Sequence, residues 1–136
     1  MSRAFLTAFI LFCAGCAQPA VAPVSGRVTL DGQPLSGVFV IFEPIQSGAN
    51  PGTGSIGKTD AEGRYTLRQM QPDRPGALIG AHRVRITTAP SVNLADGRPP
   101  SDRQPKTLFT SSAEAPCIVP PGGADQLDFH LTSPPK

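Results

Sequence analysis

Residues 24–42 read VSGRVTLDGQPLSGVFVIF, and this stretch decides the fold class. Val24, Gly26, Val28 and Leu30 alternate with Ser25, Arg27 and Thr29, the period-two pattern of a half-buried strand. The alternation stops at Asp31-Gly32. A type I′ turn needs positive φ at both central residues, and glycine supplies it without strain, so this dipeptide predicts a hairpin. The chain resumes near Gly37 with Val38-Phe39-Val40-Ile41-Phe42, apolar on both faces. Such a run belongs at the centre of a sheet that is covered on both sides.

Working outward, residues 54–59 read as a weak strand and Asp60-Ala61-Glu62-Gly63 as the next turn. Arg64-Tyr65-Thr66-Leu67-Arg68 alternates again, with Tyr65 and Leu67 inward and both arginines outward. Gly76-Ala77-Leu78-Ile79-Gly80 leads into residues 81–87, where Val84 and Ile86 point inward, Arg83 and Arg85 face water and His82 takes a polar position. Residues 88–116 are rich in Pro, Ser and Asp and exceed an ordinary connection in length. Cys117 to Val119 forms a short apolar segment before the Pro120-Pro121-Gly122-Gly123 turn. In the last strand Leu127, Phe129 and Leu131 alternate with Asp128 and His130. Seven short strands, no helical periodicity after Cys16 and no fixed-period repeat predict an all-β, seven-stranded β-sandwich over residues 24–132 with a tail at 133–136.

The 136 residues suit one domain. Gly 14 and Pro 16 are numerous, yet 39% of residues are hydrophobic and fall in alternating runs, which argues against wholesale disorder. The net charge is +2 with basic residues scattered, so no nucleic-acid partner is expected.

The first residues form a targeting segment. Arg3 supplies a positive start, and residues 4–12 are apolar except for Thr7. A bilayer-spanning helix needs about 20 apolar residues, so this stretch reads as a signal peptide over residues 1–15. Cys13-Ala14-Gly15-Cys16 follows and resembles a lipobox, the processing motif of bacterial lipoproteins, with Ala14 and Gly15 as the two small residues. The position three before Cys16, most often Leu in such motifs, holds Cys13. The resemblance implies cleavage before Cys16 and acylation of that cysteine by diacylglycerol with chains of the palmitate type. Residues 16–23, with Pro19 and Pro23, then read as an extended tether. A reach of about 20 Å follows for it. The membrane is thus an expected partner through lipid on Cys16, and the expected location is the cell envelope, on the periplasmic side or the outer membrane. Of the 3 Cys, one leaves with the signal peptide and one carries lipid, so Cys117 has no disulfide partner.

The order Gly26-x-Val28, Asp31-Gly32-x-Pro34-Leu35-x-Gly37-x-x-Val40, then Thr59-Asp60-x-x-Gly63-x-Tyr65-x-Leu67 resembles carboxypeptidase-regulatory-like, or transthyretin-like, domains. Gly76-x-x-x-Gly80-x-His82-x-Val84-x-Ile86 and Leu127-x-Phe129-x-Leu131 are similar to the version in small lipoproteins abundant in planctomycetes. The resemblance implies a Greek-key, prealbumin-like sandwich; it implies a fold more than an activity. Between Pro105 and Cys117 it lapses, since Thr107 stands where a tyrosine is expected.

The transthyretin-like fold includes hydroxyisourate hydrolases, but this chain ends Thr132-Ser133-Pro134-Pro135-Lys136, unlike their terminus, and His82 and His130 read as solvated strand residues. Asp60-x-Glu62-Gly63 lacks the further oxygen ligands of a calcium loop and reads as a turn. With Trp 0 and Tyr 1, sugar stacking would rest on Phe109 as the exposed ring. Cys117 reads as packing rather than a reactive thiol. Arg27, Arg64, Arg68, Arg83 and Arg85 read as solvated strand positions, with a basic face as the alternative. The expectation is therefore a non-catalytic lipoprotein module for envelope structure or protein interaction, with no catalytic residues, metal or cofactor. An envelope carbohydrate-binding module is the alternative and a transthyretin-like hydrolase a distant third.

Overall fold

The computed structural model describes residues 20–45, 53–88, 107–111, 115–133 and 135. The signal peptide, Cys16, most of the tether and most of residues 88–116 lie outside the described residues.

Within them the chain is all-β with no helix. In chain order the strands are β1 Val21–Ala22, β2 Ser25–Leu30, β3 Gln33–Pro34, β4 Phe39–Pro44, β5 Ser55–Lys58, β6 Arg64–Thr66 and β7 Arg68–Gln69. They continue with β8 Arg74–Pro75, β9 Ala77–Leu78, β10 Gly80–Thr87, β11 Thr107–Thr110, β12 Cys117–Val119 and β13 Phe129–Leu131. One sheet runs β11-β10-β4-β5-β7-β8, with β12 also on β10; a second runs β13-β2-β3, with β6 also on β2; β1 and β9 form a ribbon. Pairing is antiparallel except for β13 beside β2. Six of the seven segments expected from the alternation form single strands, β2, β4, β5, β10, β12 and β13; residues 64–68 split into β6 and β7, and β1, β3, β8, β9 and β11 are additional short strands.

The clearest bend is at Leu67. Its amide donates to the Val24 carbonyl and its carbonyl accepts from the Gly76 amide, both at 2.9 Å. The single alternating run 64–68 therefore changes sheets midway: β6 pairs with β2, and β7 pairs with β5. A strand that switches sheets closes the corner of a sandwich. Leu67 itself is wholly buried there.

The hairpin forms as its turn chemistry predicts, with φ of 50° at Asp31 and 82° at Gly32. Its second arm is only β3. The next long strand, β4, is central: it pairs along its whole length with His82 to Thr87 of β10 and on its other side with β5. Val40 and Phe42 are fully buried and Ile41 nearly so, in line with an apolar run on both faces. Burial of a side chain such as Phe42 contributes roughly 1.5–3 kcal/mol.

The two main sheets share one core. Val28, Tyr65 and Leu131 from the smaller sheet pack with Val40, Phe42, Val84, Ile86 and Val119 from the larger. The Phe129 ring bridges them, 6.4 Å from Phe42 and 6.3 Å from Tyr65. The arrangement is sandwich-like.

Pairing starts earlier than residue 24. Val21 and Ala22 lie opposite Leu78 and Ala77, and Ala22 is buried. Residues 88–116 are not all connection either, because β11 adds to the edge of β10. Only Leu108 and Phe109 carry an apolar signal there, too little to mark a strand whose partner is distant in sequence.

Candidate functional site

A surface concavity of about 540 Å³ opens where β2, β6 and the segment leading to β13 meet. The shape of this concavity starts at Gly26. A Cβ there would stand 2.1 Å from the Leu127 carbonyl oxygen, so only glycine lets the 124–128 segment cross this close to β2. The Tyr65 hydroxyl donates to the same Leu127 oxygen at 2.6 Å, and the Leu127 amide donates to the Ser25 carbonyl at 3.1 Å. Burial first, and then the nearby Cys117 and Asp128, push the Tyr65 phenol far above its ordinary value, so it remains a donor.

Register then sets the lining. Ser25 lies opposite Thr66, Gly26 opposite Tyr65 and Arg27 opposite Arg64. Side chains directly opposite across an antiparallel pair share a face. With Tyr65 and Gly26 turned to the core, Ser25, Thr66, Arg27 and Arg64 share the outer face. Asp125, Gln126 and Asp128 form the other wall. Asp128 stands in for a strand carbonyl: its Oδ1 accepts the Arg27 amide at 2.8 Å.

Neither guanidinium of the Arg27–Arg64 pair has an ion-pair partner among the described residues, whereas Arg68 is 2.9 Å from Asp73 and Arg85 is 2.6 Å from Glu43. Arg83 is exposed, opposite Glu43 in the β10–β4 register. The five outward arginines are therefore not one basic face.

Of the two histidines, only His82 departs from the sequence reading. His82 is not solvated: it is 1% exposed, in step with inward Val84 and Ile86, with its ring centroid 5.6 Å from that of Phe42. Its Nδ1 lies 3.1 Å from the Gly80 carbonyl, while Nε2 is buried with no partner. Burial lowers its pKa, outweighing the opposite effect of that carbonyl. His130 is exposed on the other sheet, as read, and its Nδ1 is 2.8 Å from Oγ1 of Thr29. Thr29, expected outward, is 9% exposed.

Phe109 also departs from expectation. It is partly buried against the core, 5.8 Å from the Phe129 ring, which removes the exposed stacking platform. Cys117 is half-buried, opposite His82 in register, and burial pushes its thiol up. Asp60 acts as a turn residue: Oδ1 accepts the amides of Glu62 and Arg64 at 3.0 and 2.9 Å. Lipidation at Cys16 falls on residues that are not described. The Arg27–Arg64 pair went unseen in the sequence because β6 returns to β2 from far along the chain.

No protein-family model, curated protein or solved structure matches this chain. Among the described residues no helix is long and apolar enough to cross a membrane.

Proposed function

We propose that this chain is a non-catalytic lipoprotein module of the cell envelope, tethered to a membrane by lipid on Cys16 and serving envelope structure or protein interaction. In this reading its sandwich is of the Greek-key, transthyretin-like type. The observation that carries the reading is the sequence Ala14-Gly15-Cys16 directly after an apolar stretch too short to span a bilayer. The start of β1 at Val21 adds to it. Four residues separate Cys16 from β1. Such a spacer reaches at most about 14 Å, so the domain sits close to the lipid surface rather than on a long stalk. Two or three acyl chains on one cysteine give a lasting anchor where one alone binds marginally.

The non-catalytic part draws support from how polar groups are used. Asp31 is held by Ser133, Asp60 by its own turn, Asp73 by Arg68 and Glu43 by Arg85. The two histidines belong to different sheets, one buried and one exposed. Metabolic labelling with an alkyne fatty acid tests the anchor. Wild type is expected to take up label and Cys16→Ser to lose it; equal labelling of the two chains sinks the reading.

A further inference from the structure

We propose that the cradle between β2, β6 and residues 125–128 binds an acidic saccharide, a sugar carrying a carboxylate, with Arg27 and Arg64 taking the carboxylate. This goes beyond the protein-interaction reading, giving the tethered module a saccharide ligand. Like charges directly opposite across strands are destabilising, yet Arg27 and Arg64 face each other without a carboxylate at ion-pair distance. The carboxylates in the same concavity are kept off them. Asp128 spends Oδ1 on the Arg27 amide, and Asp125 belongs to the chain that crosses at Gly26.

The result is two guanidiniums on one wall and carboxylate oxygens on the other. A bare anion gains from the first and is repelled by the second. An acidic sugar satisfies both: its carboxylate accepts charge-assisted N–H bonds from the arginines, and its hydroxyls donate to Asp125 and Asp128. Hydroxyls of Ser25 and Thr66 lie beside the arginines for further polar contacts. Recognition by charge rather than stacking also fits a surface whose tyrosine is buried and whose Phe109 is packed against Phe129.

Titration of the full-length chain in nonionic detergent with oligogalacturonate tests this, with dextran of similar size as the neutral probe. Wild type binds the acidic oligomer and not dextran. Arg27→Gln and Arg64→Gln each lower affinity about tenfold or more, while Arg83→Gln on β10 leaves it unchanged. Matching thermal melts show that these variants fold. No binding at low salt, equal binding of dextran, or affinity indifferent to Arg27 and Arg64 overturns the proposal. So does displacement at equal concentration by monomeric dihexanoylphosphatidylglycerol, which assigns the cradle to a lipid headgroup. Fatty-acid labelling at Cys16 is independent of all these outcomes, so failure of the cradle and failure of the anchor are told apart.

Discussion

Acidification should unload stability through His82 in a window separate from the carboxylates. The ring is 1% exposed, and a proton added at Nε2 would find no acceptor for its hydrogen bond. Its neighbours offer no compensating charge: Pro44 and Cys117 lie opposite it on β4 and β12, and the thiol, pushed up by burial, stays neutral. The folded pKa is therefore below the ordinary 6.5. With the unfolded chain binding the proton more readily, the stability from neutral His82 is fully present above about 6.5. It is lost as pH falls from there toward the folded value. Within that window one proton separates the two states, so stability falls by up to about 1.4 kcal/mol per pH unit. Each 1 kcal/mol shifts the melting temperature by roughly 4–8 °C in a domain of about 100 residues. Urea unfolding at half-unit steps from pH 7.5 to 5.0 reads the slope directly. Asp31, its carboxyl lowered by hydrogen bonds from Ser133, gives up its share only as pH drops below its ordinary value of 3.8. His82→Leu should flatten the profile above pH 5. A slope that survives His82→Leu refutes the reasoning.

Gly26→Ala is expected to destabilise the domain by about 1–3 kcal/mol or more, because its methyl would stand 2.1 Å from the Leu127 carbonyl oxygen; denaturant midpoints check this, and an unchanged midpoint contradicts the close crossing. Cys117 is expected to react slowly with iodoacetamide at neutral pH and faster in urea, since burial raises its thiol pKa. Native and unfolded rates that agree would show the thiol to be freely accessible.

Legibility in the sequence tracked how local the deciding physics was. The alternation in residues 24–30, the positive-φ turn at Asp31-Gly32 and the Asp60 turn depend on neighbours a few residues apart, and each forms as read. His82 was misread although its spacing from Val84 and Ile86 already placed it inward. Phe109 and Arg64 depend on partners distant in the chain, Phe129 and Arg27, that only pairing reveals. No local pattern announces that a side chain such as Asp128 will replace a carbonyl in a ladder.

The close crossing at Gly26 couples the cradle to the core. The Leu127 carbonyl that excludes a Cβ at Gly26 is the one that accepts the buried Tyr65 hydroxyl, and the adjacent residue Asp128 fixes the Arg27 amide. Tyr65 is opposite Gly26 on β6, so the strand that carries Arg64 is pinned by the same contact. The walls of the concavity are therefore set by packing and buried hydrogen bonds rather than by loop conformation. A site held that way has its backbone ordered before a ligand arrives, which lowers the entropy cost of binding. It also predicts how perturbations separate. Changes at Arg27 or Arg64 lower affinity without a cost in stability, since they relieve the repulsion between the facing guanidiniums, whereas Gly26→Ala moves the wall and the core together and must lower stability and affinity in the same variant.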